Sequence, residues 1–515
     1  MTQNWVKYKQ KQIEEEKPKM KLKKQEILLH INHQQSVKRE RGVTLTILVI
    51  TIIVMLILAG ASLSMIFDYD GLLKSSQEAQ EAQKNHANHE EQKTEELINE
   101  VNENMKPEYK DQSGANSPKL GRGMVPVKWN GTNWIVTDNK DSEWYNYADK
   151  KWANIMLTDG LTVEDISDAN TATITQMKGK KVTTVGSMFV WIPRYAYQIA
   201  SNYHTSTTSG GTINIKFLKD TTNTAFDGTK SWDNVSGQGK WNIHPAFSYG
   251  EEVSGIWVSK FEASTTNCTT AESTGQYNGI DRTLQVKPGI TSWRGITVNN
   301  IYTLCLNYNT ALNSHMMKNS EWGATAYLAQ SSYGKNAEVW INNNSSDITG
   351  SAGNSVSAGT DVGTTNDYTS SQGIQASTTG NVTGIYGMSG GAWEYAAAYV
   401  NNGNGNLTTY GSSLVNGVAK MKDVYNKGAN DDYATNYPAA NKYGDAIYET
   451  SNNGGDTNNA SSWYNDHSTI PYTFTPFFVR GGNYNYTTRA GLFAFGNGNG
   501  DAGAGYGFRP VLIVL

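Results

Sequence analysis

The sequence predicts an α+β protein in three parts: a long N-terminal transmembrane and stalk helix, a small β subdomain, and a large mixed head. Three observations predict it. The first 105 residues fall into a basic, an apolar and an acidic block. An Asn130-Gly131 pair separates two short apolar-aromatic runs. Beyond residue 185, short apolar runs alternate with Asn/Gly/Ser/Thr-rich stretches, and two segments carry helical patterning. Composition fits a loop-rich surface protein: of 515 residues, 50 are Gly, 29 Tyr and 14 Trp, while charged residues reach only 17%, below the usual quarter. The aromatics exclude wholesale disorder, and two Cys exclude a disulfide scaffold.

The net charge of −4 is an average over opposed blocks. Residues 1–42 hold eleven Lys or Arg against five Glu, residues 43–67 hold no charge, and residues 68–105 hold ten Asp or Glu against three Lys. Twenty-five uncharged residues at 1.5 Å each span about 37 Å, beyond a hydrocarbon core of roughly 30 Å. Residues 43–67 therefore read as a transmembrane helix, with 1–42 as a basic cytoplasmic leader and the rest of the chain outside. Residues 68–105 lack Pro and, after Gly71, Gly; they carry a partial apolar stripe (Ala79, Ala82, Leu97, Val101) and read as a solvated helical stalk. His86 and His89 share one of its faces without further ligands. Pro107 and the Ser/Gly/Asn run to Pro118 make 106–118 a linker.

Residues 119–185 read as a small aromatic β subdomain. Val125–Trp129 and Trp134–Thr137 form a hairpin around Asn130-Gly131, and its Trp and Tyr residues read as core. The head spans 186–515. Ser187–Ile192, Gly255–Lys260 and Pro510–Leu515 are expected as buried strands, Asn299–Leu312 and Asn319–Gln330 as helices. The polar stretches 342–380, 401–406 and 452–459 are expected as surface insertions, where function often sits. Cys268 and Cys305 either pair or remain free thiols; the string Tyr302-Thr303-Leu304-Cys305-Leu306 suits a core position.

Arg39-Glu40-Arg41-Gly42-Val43-Thr44-Leu45 resembles the type IV prepilin signature, a basic leader ending in Gly before an apolar helix. The resemblance implies cleavage after Gly42 by a prepilin peptidase, methylation of Val43, and partnership with other pilins. The family usually has Glu five residues after the cut; here Ile47 stands there, which disfavours a major, filament-building subunit. A plain, uncut single-pass anchor is the competing reading.

A second resemblance covers residues 255–509. Ile256-Trp257-Val258-Ser259-Lys260-Phe261-Glu262, Glu321-Trp322, Met388 to Tyr395 (with Gly390, Gly391, Trp393 and Glu394), Arg480-Gly481-Gly482-Asn483-Tyr484 and Gly507-Phe508-Arg509 resemble, in order, the motifs of formylglycine-generating-enzyme (sulfatase-modifying-factor) domains. The implied fold is C-type-lectin-like. Trp322, Trp393 and Phe508 are read as core anchors, Glu394 and Arg509 as a buried ion pair, and the paired glycines as tight turns. The resembled oxidase needs two copper-binding cysteines after its Arg-Gly-Gly turn; those places hold Tyr486 and Gly491. No Gly-x-Ser-x-Gly, His-Glu-x-x-His or phosphate-binding loop occurs, and His204, His244, His315 and His467 are scattered. The chain is therefore read as no enzyme, with no cofactor and no assigned metal.

The tail is also similar to the variable proteins of diversity-generating retroelements, whose last few dozen residues bind ligand. That likeness implies a binding face from Asn483, Tyr484, Asn485, Tyr486, Arg489, Leu492, Phe493, Phe495, Asn497, Asn499, Asp501 and Tyr506; exposed Tyr and Asn on Gly-rich loops suit such a face. The sequence thus reads as a bacterial, pilin-like protein of the cell membrane. Its non-catalytic C-type-lectin-like head would face outward and recognise an extracellular protein or glycan, with no nucleic acid as partner. The competing readings are a structural minor pilin or filament-tip subunit and a modifying-factor-type enzyme.

Overall fold

The Asn130-Gly131 pair does turn the chain. In the computed structural model, which describes residues 107–266, 275–360, 366–455 and 460–515, strands β1 (Met124–Trp129) and β2 (Trp134–Val136) pair antiparallel with Trp129 opposite Trp134. The loop has four residues because Asn130 Oδ1 accepts from the Thr132 and Asn133 amides. After β3 (Asn154–Leu157) comes α1 (Ile174–Met177), a single turn capped reciprocally by Thr173 and Gln176. Then follow β4 (Met188–Pro193), β5 (Tyr195–Ile199), β6 (Ile213–Phe217), β7 (Trp241–Ile243) and β8 (Gly255–Ser259). Helix α2 (Val298–Tyr308) buries Val298, Ile301, Tyr302, Leu304 and Cys305, one face at helical spacing. It is followed by β9 (His315–Met316) and α3 (Asn319–Gln330), every residue of which is buried.

The C-terminal part runs β10 (Trp393–Asn401), α4 (Gly405–Thr409), α5 (Ser412–Asn416), β11 (Asp423–Asn426) and α6 (Tyr433–Ala439). It closes with β12 (Phe477–Gly481), β13 (Gly491–Gly498), β14 (Tyr506–Gly507) and β15 (Pro510–Leu512). Two sheets organise these strands. The first has the order β9-β15-β8-β4-β3-β1-β2, all antiparallel. Its centre, β4 and β8, is buried on both faces, as an unbroken Met-Phe-Val-Trp-Ile run requires. Trp191 and Trp257 are paired across it, ring centres 5.1 Å apart. The second sheet runs β11-β10-β12-β13, with β14 joined to β10. Strands β6-β5-β7 form a third, smaller sheet.

Several expectations need correction. The described residues are mostly β; their six α-helices are short, the longest being the twelve residues of α3. Among the described residues no helix is long and apolar enough to cross a membrane. The α+β class dominated by a long N-terminal helix, and the single-pass membrane location built on it, are corrected accordingly. The leader at 1–42, the cleavage pair Gly42 and Val43, the apolar segment 43–67 and the stalk 68–105 lie outside the described residues, as does Cys268. The boundary drawn between 119–185 and 186–515 falls inside one sheet, because β3 pairs with β4. The physical reason is that β1–β3 have no core of their own: Val127, Ile155 and Met156 are buried in the same cluster as Val190, Trp257 and Leu512.

Candidate functional site

The sequence motifs of the second half converge beneath the tail. Arg509 and Glu394 are both buried and form a bidentate pair: Nε donates to Oε2 at 2.6 Å and Nη2 donates to Oε1. Arg509 Nη1 and Nη2 also donate to the carbonyls of Ser259 and Tyr386 at 3.2 and 3.1 Å. Gly390 and Gly391 adopt φ of +74° and +72°; a Cβ at Gly391 would stand 2.3 Å from Glu262 Oε1. Burial first, and the Glu394 charge next, push the Glu262 carboxyl far up. Arg480 donates to the carbonyls of Asp445 and Ala446, 3.0 Å each, and lies 5.4 Å from the Trp322 ring centre. The Trp322 indole N–H donates to the Leu492 carbonyl at 2.8 Å, tying α3 to β13.

On this base stand two loops. The loop between β12 and β13 interrupts their register between Arg480 and Gly481. It leaves the sheet through Gly481 and Gly482, both at positive φ. It is pinned where the Tyr484 amide donates to the Gly391 carbonyl at 2.7 Å. Tyr486 packs edge-on against Trp393 and His467, ring centres 5.2 and 5.4 Å away, and Arg489 covers its other side at 5.1 Å. At the tip, Thr487 has φ of +50°. A β-branched residue is a true outlier there, costing about 1–3 kcal/mol. The second loop, 499–505, is tied by Asn499 Nδ2 to Asp501 Oδ2 (3.0 Å), by the Gly500 amide to Tyr395 Oη (3.1 Å) and by Arg294 Nη1 to the Ala504 carbonyl (2.8 Å). Tyr506 then lies over Tyr395, 4.8 Å between centres.

Neutral groups lie below the first loop. Burial, reinforced by Arg489, lowers His467 to about 4, so the imidazole is uncharged at ordinary pH. Burial raises Asp466 far above the carboxylate range, with Glu338 adding to it. Asp466 Oδ2 accepts from the Phe493 amide at 2.9 Å.

The tail residues therefore separate. Asn485 is exposed, and Asn483, Tyr484, Tyr486, Arg489, Asn497, Asn499, Asp501 and Tyr506 are half-buried. Leu492, Phe493 and Phe495, expected on the binding face, are corrected to core: they are 4%, 0% and 0% exposed. Strand β13 sits between β12 and the segment 467–469, whose His467 carbonyl and Thr469 amide bond to the Phe495 backbone at 2.9 Å each. Thr487, Thr488, Ala502 and Ala504 share the accessible loops, and His467 supports them. Residue type alone did not mark these, since Thr and Ala are ordinary loop residues.

No family model matches the chain, and no curated protein matches it; neither the prepilin-like nor the sulfatase-modifying-factor-like resemblance is therefore matched by a family model. Among solved structures the chain is similar to one titled Major Tropism Determinant I1 Variant, at 14% identity and a TM-score of 0.25, over 79% of this chain and 86% of that one. The likeness is weak.

Proposed function

We propose that the unit built from the two main sheets is a binding domain, that its ligand face is formed by loops 483–489 and 499–506, and that the ligand is a protein surface. The observation that carries this reading is the first loop itself. It holds a disfavoured Thr487 backbone at its tip, and it is clamped by the edge-on packing of Tyr486 against Trp393 and His467. Strain held in place by packing is a mark of functional loops. The rim offers Tyr484, a contact surface of low entropic cost, and Asn485, an adaptable hydrogen-bonding group, with Thr488 and Arg489 beside them. Binding rather than catalysis is supported by Cys305, which lies buried on α2, its thiol pushed far up by burial and hence unreactive. Tyr486 and Gly491 offer copper no thiolate.

The test is selection of binders from a displayed protein library against the purified full chain. Selected binders should lose at least tenfold in affinity for the Tyr484→Ala/Asn485→Ala double variant, with the circular-dichroism spectrum unchanged. Binders indifferent to these positions, or copper-dependent oxidation of a cysteine peptide by the wild-type chain, would overturn the reading.

A further inference from the structure

A second site lies far along the sequence from the tail, where the first hairpin meets the 381–383 segment. Four indoles (Trp129, Trp134, Trp144 and Trp152) line a pocket of about 310 Å³ there, at the small end of the roughly 300–1,000 Å³ range of ligand sites. Three of their N–H groups are engaged inside the protein: Trp134 donates to Tyr368 Oη at 2.9 Å, Trp144 to the Asn154 carbonyl at 2.8 Å and Trp152 to the Tyr333 carbonyl at 2.8 Å. These bonds lock the rings, which are 4%, 2% and 0% exposed, so they form the pocket's apolar base and the carbon surface most open to a ligand is that of Trp129. Trp129, edge-on to Trp134 at 5.5 Å, is the half-buried member of the set.

Asn154 gives the pocket its polarity. It is 1% exposed. Its Nδ2 donates to the carbonyls of Trp152 and Thr383 at 2.9 and 2.7 Å. Two carbonyl partners fix which end of the amide is nitrogen. The other end, Oδ1, is buried and takes no hydrogen bond within the described residues. A buried acceptor without a donor is destabilising, and a ligand donating there would relieve it. The rim carries exposed Glu143 and Asp149 against Lys128 and Lys151. Lys151 pairs with Glu143 at 3.6 Å and Lys128 with Asp141 at 2.6 Å, so both cations already have partners.

We infer that this pocket is a ligand site for one neutral hexopyranose ring. The ring's C–H face, weakly positive, suits the negative face of an indole. A ring hydroxyl supplies the donor that Asn154 Oδ1 lacks, and others reach the Glu143 and Asp149 carboxylates. Tetramethylammonium would suit the indoles but has no N–H or O–H to donate to Asn154. The inference is independent of the tail reading, since none of these residues belongs to the tail loops.

The test titrates the purified full chain with methyl α-glucopyranoside, methyl α-mannopyranoside and methyl β-galactopyranoside, and with tetramethylammonium as the cationic probe. Tryptophan fluorescence and saturation-transfer NMR are the readouts. At least one glycoside should bind saturably. Binding should weaken at least tenfold in Trp129→Ala and in Glu143→Gln/Asp149→Asn, whose positions are accessible enough for the fold to survive, as the thermal midpoint will check. Tyr484→Ala/Asn485→Ala should bind it as wild type. Failure of all three glycosides, binding that survives Trp129→Ala in a folded protein, or tetramethylammonium binding in preference to every glycoside would each overturn the inference.

Discussion

At the scale of single residues, two positions separate what holds the unit together from what it presents. Arg509 is the first. Its guanidinium ties Glu394 of β10 to the carbonyls of Ser259 and Tyr386, joining the end of the chain to both sheets. Arg509→Ala leaves Glu394 buried without its partner, and breaking such pairs costs about 3–5 kcal/mol. A urea midpoint lowered to match is expected; a loss under 1 kcal/mol would show the pair to be dispensable. Thr487 is the second. Thr487→Gly removes the penalty of a β-branched side chain at φ of +50°, so stability should rise by about 1 kcal/mol. If the strain serves recognition, affinity for selected binders should fall at the same time. A variant unchanged in both would refute the functional account of the loop.

At the scale of elements, the tail is two structures alternating: strands that belong to the core and loops that do not. The expected binding face ran through both, because aromatic and Asn residues were read by type and not by strand period. Residues 491–498 form β13, flanked by β12 on one edge and by 467–469 on the other, and Leu492, Phe493, Ala494 and Phe495, which alternate between its two faces, are all buried. The buried strands near 188–193 and 255–259, helix α2 and the glycine turns were legible because each has a local cause: apolar runs, 3.6-residue spacing, or freedom at positive φ; the Glu394–Arg509 pair, 115 positions apart, was legible only as complementary charges in two separate motifs. The merging of β1–β3 into the large sheet was not, since a three-strand edge looks the same in sequence as a separate subdomain until its partner is known. The Trp pocket was hidden likewise, its lining coming from residues more than 200 positions apart, such as Trp152 and Thr383. A direct comparison follows. Phe493→Ala should cost about 3–5 kcal/mol by cavity formation, whereas Asn485→Ala should stay within about 0.5 kcal/mol. Any natural or engineered diversification of the tail should therefore spare 491–496 and fall on 483–489 and 499–506. Tolerance of polar substitutions at Phe493 in a folded library would contradict the assignment of β13 to the core.

At the scale of the whole molecule, the buried ionisable groups set how stability depends on pH. Burial lifts Glu449 and Asp347 to about 7 and Asp445 to about 6. Glu449 is the clearest case: its Oε2 accepts from Tyr197 Oη, Tyr327 Oη and the Gly444 amide at 2.6, 3.0 and 2.8 Å, yet desolvation still dominates. A carboxyl with a raised native pKa binds more protons folded than unfolded, so its contribution is fully present below the unfolded value near 4.5 and is lost as pH rises through 7. The opposite sign belongs to His244 and His467, lowered by burial to about 3 and 4, and to Glu321, held at about 2 by His315 and Lys318 against its own burial. Their contributions fade as pH falls below about 6.5 for the histidines and about 4.5 for the glutamate. Lys260 and Lys335, lowered by burial, share the histidines' sign, but among the described residues the raised carboxyls are the more numerous above pH 5, since Asp159, Glu262, Glu338, Glu394 and Asp466 join Glu449, Asp347 and Asp445. The thermal midpoint should therefore be higher at pH 5 than at pH 8. Glu449→Gln keeps an acceptor for the three donors while removing the titration. It should flatten the decline by about 3 kcal/mol between pH 4.5 and 8, taking 1.36 kcal/mol per pKa unit as the scale. A wild-type midpoint that rises from pH 5 to 8, or a Glu449→Gln profile parallel to wild type, would show that Glu449 is ionised in the folded protein and that the network of Tyr197, Tyr327 and Gly444 holds it as an anion.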